Sequence, residues 1–324
     1  MCLFEVRVGR VPFPGRTHKN KENLMREPDR KPNALIIGAP RCASTSLALA
    51  MAQHPEIFVC TPKEPHFLAM HDYNDEVVGI GREAFLAESR FSPDRWQSLF
   101  QGRSEHCLID ASVSTISYPA TAIANIERYC APDVKLVVIL RNPVDRAFSS
   151  YLYCRSRGWT HTDFEDDLAW EPLRIREGWQ HLWFLTFLGR YEARLAPFLE
   201  AFGPDRIHVV ITEEFSADPG PVLDGIFDFL DLDRAEIAAS GRHNPSAPPR
   251  SRIIRDLTAY ARRQPTLRKV FKAGTSPAFR EWVRGPRETG PVMNADTQDQ
   301  LALEFAPTRA WTERFLGRSL TGWA

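Results

Sequence analysis

Short apolar runs that alternate with helical patterns constrain this chain more than any other feature. The runs are 34–38 (ALIIG), 57–60 (IFVC), 107–111 (CLIDA), 134–140 (VKLVVIL) and 207–211 (IHVVI). Runs so short and so uniformly apolar suit strands buried on both faces. Between them, helices are expected over 45–53, 93–100, 119–129, 143–157 and 187–202, several opened by a proline at a first-turn position. This alternation is the signature of βα units, so the expected fold is α/β, with three layers and a central, mostly parallel sheet flanked by helices.

The rest of the chain is read around that unit. Residues 1–33, with "GRTHKNKENLMREPDRKPN", are rich in Arg, Lys, Pro and Asn and are expected to form a flexible leader. Residues 34–324 are expected to form one domain. From about residue 241 the text turns proline-rich and basic ("GRHNPSAPPRSRIIRD") and then helical, as in a C-terminal extension packed on the sheet domain. The stretch 159–183 carries Trp159, Trp170, Trp179 and Trp183 among many charges; helix packing is the favoured reading, and an acceptor-binding wall is the other.

Charge removes some function classes. Lys plus Arg and Asp plus Glu each number 41, so no global field draws the chain to nucleic acid or an anionic membrane, and an anion site has to be local. No run approaches the roughly 18 apolar residues of a membrane span, and the N-terminus lacks a signal-peptide core. The 6 cysteines show no CxxC pair and no metal-type spacing with histidine. A cytoplasmic location, no metal and no membrane insertion are therefore expected; oligomeric state stays open.

The first run leads into "LIIGAPRCASTSLALAM", a strand ending in Gly38, a polar turn and a helix. Such a turn aims backbone N–H groups and the positive helix end at one point, where phosphate or sulfate binds. Against the nucleotide-binding pattern GxxxxGK[ST], Gly38 and Thr45 match, while Ala43 replaces the second glycine and Ser44 the lysine. The cation stands earlier, at Arg41. A second constellation, "KLVVILRNPVDRAFSSYLY", places Arg141 at the carboxyl end of the strongest strand and Ser149 about two turns into the next helix. Ligands of open parallel sheets sit beyond the carboxyl ends of strands. One end of an elongated ligand is expected to meet Arg41 and the other Arg141 with Ser149.

These stretches, with "TPKEPHFL" between them, resemble the PAPS-dependent sulfotransferases. The first is similar to that family's 5′-phosphosulfate loop, and Arg141 to Tyr151 to its 3′-phosphate site. The likeness continues through "LGRYEARLAPFLEAFGPDRIHVV", "LDGIFDFLDL" and "NPSAPPRSR", with a weaker echo at "WTERFLG". It implies a P-loop-like fold and transfer of a sulfonate from PAPS (3′-phosphoadenosine 5′-phosphosulfate) to an acceptor hydroxyl or amine, releasing PAP, without a metal. Carried over, it assigns Arg41, Cys42, Ala43, Ser44, Thr45 and Ser46 to the 5′-phosphosulfate and Arg141 with Ser149 to the 3′-phosphate. Arg250 and Arg252 are further phosphate candidates, and a solvated surface is the equal alternative for both. The acceptor, small molecule or carbohydrate, is not named by these motifs.

Two departures from the family form stand out. Arg41 occupies a position usually held by lysine and cannot release its proton near neutral pH, although it can clamp a leaving phosphate. Ala43 stands where the family has glycine, which costs about 1 kcal/mol if the backbone there is left-handed. For the base, Glu64 and His66 compete: histidine titrates near pH 6.5 unaided, so residue chemistry favours His66, while the resemblance to carbohydrate-type members favours Glu64. Glu64 is the expected base, with His66 orienting the acceptor or standing in. The rival readings are a P-loop phosphotransferase, with Asp110 offered as its Mg²⁺ carboxylate, and a catalytically silent PAP or PAPS binder.

Overall fold

The computed structural model describes residues 30–73, 76–89, 92–237 and 291–323. The five apolar runs form one all-parallel sheet: β1 (Ala34–Gly38), β2 (Ile57–Val59), β3 (Cys107–Asp110), β4 (Lys135–Leu140) and β5 (Ile207–Ile211), in the order β2-β3-β1-β4-β5. Each begins within a residue of its expected start. The predicted α/β class with a central parallel sheet flanked by helices, of the P-loop-like kind, is the fold observed.

Burial explains the order. The strands β1, β3 and β4 occupy the middle of the sheet and are almost wholly buried, as two-faced apolar runs require. Leu35, Ile37, Ile109, Val138 and Leu140 share one core with Leu47, Met51, Leu195 and Phe198 from the covering helices. The edge strand β2 is only 3 residues long, which leaves little unpaired backbone.

The strand order also fixes where a ligand can sit. The chain leaves β1 toward β2 and β3 on one side, then crosses to β4 and β5 on the other. The turns after β1, β3 and β4 therefore converge at the carboxyl edge, at the switch point of the sheet. The turn after β1 runs into α1 (Ser44–Met51), and the turn after β4 into α6 (Pro143–Ser156), whose first residue is the proline.

Between these, α2 (Phe67–Met70), α3 (Arg82–Ser89), α4 (Pro93–Ser98) and α5 (Pro119–Tyr129) lie along the β2–β3 side of the chain path. After α6 come α7 (Phe164–Arg176) and α8 (Tyr191–Phe202). The helix expected over 187–202 is thus divided: a single turn at Phe187–Gly189 precedes α8. Gly189 packs so closely on Phe305 that a Cβ would come within 2.8 Å of its ring, and the chain bends there to pass. α9 (Thr212–Ala217) and α10 (Pro219–Phe229) follow β5. Two last helices, α11 (Ala295–Glu304) and α12 (Ala306–Leu316), close the described chain, and Leu301 and Phe305 join Val144, Ala147 and Tyr151 in a second core.

The tail is tied to the carboxyl edge of the sheet: Trp323 donates through Nε1 to Glu213 at 3.1 Å, and Asn142 Nδ2 donates to the Gly322 carbonyl at 3.3 Å. Of the leader expected over 1–33, residues 1–29 lie outside the described residues, as does the basic stretch with Arg250 and Arg252, while residues 30–33 are tied to the sheet domain, Arg30 donating to the Glu105 carbonyl at 2.7 Å and the Asn33 N–H to that of Leu108 at 3.2 Å.

Candidate active site

The turn after β1 is held by its own backbone. The Ala39 N–H donates to the Ile139 carbonyl at 2.8 Å, and Thr212 at the end of β5 donates through Oγ1 to the Cys42 carbonyl at 2.9 Å. Arg41 and Ala43 both adopt positive φ, 70° and 64°. The left-handed conformation that would tax a non-glycine residue at 43 is therefore present. Ala43 sits at the N-cap of α1 and offers no side-chain cap, so the first-turn N–H groups of that helix receive none from it. Ser44, Thr45 and Ser46 line the space in front of this helix end. Cys42 differs from its neighbours. Its thiol is fully buried against Tyr191, with Sγ 3.9 Å from Oη, and burial pushes its pKa up to about 11, so only its backbone remains to face a ligand.

Arg41 reaches across to α6. Its Cζ lies 4.7 Å from the ring centroid of Tyr153, and Nε donates to Ser149 Oγ at 3.4 Å. Burial lowers the pKa of this guanidinium, yet none of the described carboxylates lies in ion-pair contact with it. A half-buried cation with no carboxylate beside it among the described residues is suited to receive an anion. Arg141, at the end of β4, is braced by Tyr191, whose Oη donates to the Arg141 carbonyl at 2.6 Å. Its guanidinium stands 3.7 Å from Asp145, one turn along α6. Asn142 caps α6 through Oδ1, accepting from the Val144 N–H at 3.0 Å. Ser149 is thus nearer to the Arg41 end than the sequence implied. The two cation ends are not cleanly separated, because the second turn of α6 runs alongside the first loop.

Glu64 and His66 enter from the loop after β2. Glu64 pairs with Lys63 and keeps 29% of its side-chain surface exposed, on the cavity wall. His66 is 4% exposed; its backbone N–H donates to Ser112 Oγ at 3.0 Å and its Nδ1 lies 2.8 Å from Ser114 Oγ. Burial drives its pKa down to about 4. The reading that favoured histidine on residue chemistry fails here: a ring buried among Phe85, Ser112 and Ser114 has lost the basicity it would have in water. Its Nε2 lies 3.9 Å from Glu64 Oε2, beyond hydrogen-bond distance.

Asp110 does not serve as a metal carboxylate. It is 1% exposed, and its oxygens accept from Trp96 Nε1 at 2.8 Å and from the N–H and hydroxyl of Ser112 at 2.9 and 2.6 Å. This undercuts the phosphotransferase reading, which needed Asp110 at the ligand. Its role is to pin the turn that carries Ser112, and through it His66.

Arg41, Ala43 to Ser46, Glu64, His66, Arg141 and Ser149 face one cavity of about 1370 Å³, while Cys42 and Asp110 are buried and do not line it. Pro40, Arg41, Ala43 to Ser46, Arg141 and Ser149 line one region, and Glu64, His66, Gly81, Phe85, Trp159 and His181 another. Of the tryptophan-rich stretch, Trp183 is buried core, Trp170 is 54% exposed, and Trp159 lines the cavity. Sequence reasoning missed Tyr153, Arg157, Thr212 and Glu213, which also line it. For Thr212 and Glu213 a signal was present, since they follow the carboxyl end of β5.

Comparison with known proteins agrees with this geometry. Residues 32–236 match the family described as "Sulfotransferase family". Among curated proteins, the chain is 23% identical over 249 residues to mouse carbohydrate sulfotransferase 15, covering 62% of this chain and 44% of that protein. It is 25% identical over 207 residues to mouse heparan sulfate glucosamine 3-O-sulfotransferase 3A1, covering 63% and 46%. The chain therefore spans less than half the length of these two relatives. The crystal structure of a sulfotransferase from Alicyclobacillus acidocaldarius superposes with a TM-score of 0.70 at 28% identity, over 90% of this chain and 98% of the other.

Proposed function

The chain belongs to the sulfotransferase family, and from that premise we propose that it moves a sulfonate from PAPS to a hydroxyl or amine of a carbohydrate or small-molecule acceptor. One observation carries the reading. A guanidinium with no carboxylate partner among the described residues, Arg41, stands at the start of α1, which Ala43 leaves without a side-chain cap, in the same cavity as Arg141 and as the half-buried carboxylate of Glu64.

The residues present suit such a donor. The N–H groups at the start of α1 and the hydroxyls of Ser44, Thr45 and Ser46 would hold the 5′-phosphosulfate, with Arg41 over it. Arg141 and Ser149 would hold the 3′-phosphate, with Arg41 sharing Ser149. When bound, PAPS supplies an activated sulfonate whose departure leaves negative charge on the phosphate. Arg41 is placed to hold that charge without giving up a proton. Glu64 takes the proton of the acceptor group, and His66, on the same cavity wall, orients the acceptor.

A cytoplasmic location, expected from cysteine usage, remains part of this proposal. The test is transfer of labelled sulfonate from PAPS to a panel of saccharide and phenolic acceptors, in the wild type and in Glu64→Gln. Product from at least one acceptor, abolished in the variant while PAP still binds, supports the reading. Tight PAP binding with no transfer to any acceptor would favour the silent binder, for which Arg41 and the strained Ala43 are the motive.

A further inference from the structure

Beyond the donor loops the cavity runs between Gly81 with α3 on one side and the end of α6 with its following turn on the other. Phe85, Glu88, Tyr153, Arg157 and Trp159 line it there, past Glu64. Trp159 is fixed in place. It lies against Gly81 so closely that a Cβ there would fall 2.5 Å from its Cζ2. It also stacks on buried Trp183 with ring centroids 6.3 Å apart and meets Tyr153 edge-on at 5.9 Å. It is nonetheless only half-buried, and it faces the cavity.

Arg157 is exposed, and its guanidinium is held by Tyr153. Its Nε and Nη2 both donate to Tyr153 Oη, at 3.0 and 2.6 Å, and its Cζ lies 5.0 Å from the Tyr153 ring and 5.9 Å from that of Trp159. None of the described carboxylates pairs with it. The Tyr153 ring thus holds two guanidinium groups, Arg41 and Arg157, neither in ion-pair contact with a carboxylate among the described residues. The neighbouring cations do have one: Arg141 has Asp145, and Lys63 has Glu64. The donor accounts for Arg41. It leaves Arg157 as an immobilised cation at the acceptor end, beside an aromatic face.

We propose that this end of the cavity is a subsite for an acceptor bearing an anionic group, with a ring of the acceptor lying on Trp159 and its carboxylate or sulfate meeting Arg157. The proposal rests on the sulfonate-transfer reading above. A guanidinium already held through two N–H groups loses little side-chain freedom on meeting an anion, and its planar fork matches a carboxylate or sulfate. An indole face suits the C–H side of a sugar ring, as it suits other flat amphipathic groups.

The test uses the full-length protein saturated with PAP and measures calorimetric affinity for two probes of equal length, an unsulfated chondroitin tetrasaccharide, which carries carboxylates, and neutral chitotetraose. At low ionic strength the charged probe is expected to bind about tenfold more tightly. Arg157→Gln should bring the two within about threefold while PAP affinity stays unchanged, and Arg157→Lys should keep part of the preference. Equal binding of the two probes, a preference that survives Arg157→Gln, or a lysine variant as indifferent as the glutamine one overturns the proposal. So does a loss of PAP affinity in Arg157→Gln, which would assign this cation to the donor. Absence of PAP binding by the wild type sinks the donor reading and this proposal with it; PAP binding without any saccharide preference sinks this proposal alone.

Discussion

Replacing His66 with glutamine should change how the stability of this protein depends on pH. The ring is 4% exposed, and burial lowers its pKa from 6.5 to about 4. Glu64 at 3.9 Å raises it in part, Lys63 lowers it, and the neutral faces of Phe85 and His181 pack at 5.0 and 6.3 Å. An unfolded histidine binds its proton at higher pH than this folded one, so between pH 6.5 and 4 the unfolded state carries more protons and stability falls with acidification. A lowering of that size corresponds to roughly 3 kcal/mol that is present above pH 6.5 and lost on the way down to pH 4. Glutamine can still reach Ser114 Oγ but does not titrate. Urea unfolding at a series of pH values should therefore show the wild type more stable than the variant near neutrality, with the difference shrinking by about 3 kcal/mol by pH 4. His181 has its pKa lowered to about 3 by burial and next by His66 itself, so its own titration also shifts in the variant and the comparison is read above pH 4. Parallel curves for the two proteins across that range would refute the argument that His66 is held neutral by burial.

Further predictions rest on other contacts. Ala43→Gly should stabilise the protein by about 0.5 to 1 kcal/mol in urea unfolding, because φ of 64° is left-handed and glycine adopts it freely. Arg141→Ala should weaken PAP by about 1.5 to 3 kcal/mol and an analogue without the 3′-phosphate much less; equal losses would remove Arg141 from that role. Glu64→Gln should lower turnover by roughly 10² to 10⁴ with PAP affinity nearly unchanged. Arg41→Ala should lower turnover by about a hundredfold or more, with Arg41→Lys active; a lysine variant as inactive as alanine, still binding PAPS, would contradict a charge-holding role.

The frame of this molecule was readable because its strands are short, apolar and buried on both faces, and because Gly38, Pro119 and Pro143 mark where strands end and helices begin. Helices α3 and α7 were not anticipated as separate elements. Both are highly charged and bury few side chains, Phe85 and Ser89 in one and Phe164, Asp167 and Glu171 in the other, so their hydrophobic period is faint. At the site, spacing alone brought the loop of Arg41 and the helix of Ser149 to one rim. It could not show that Arg41 crosses to Tyr153, or that Tyr153 also carries Arg157, since those contacts span distances in sequence that periodicity does not report. The fate of His66 was hidden for the same reason. Its basicity depends on Ser112, Ser114 and Phe85, and the turn they build is fixed by Asp110 and Trp96. Ala43 is the opposite case, a single substitution in a recognisable loop, where the glycine it replaces raised the question of a left-handed backbone and the structure has one.

The central claim is that the loop at Arg41 and the strand end at Arg141 hold one PAP-type nucleotide, and titration calorimetry with PAP in the presence of a metal chelator tests it most directly. The account predicts one molecule of PAP bound per chain, unaffected by the chelator, with affinity reduced in Arg141→Ala and much weaker binding of ATP. Absence of PAP binding, or tighter binding of ATP that requires magnesium, would contradict it.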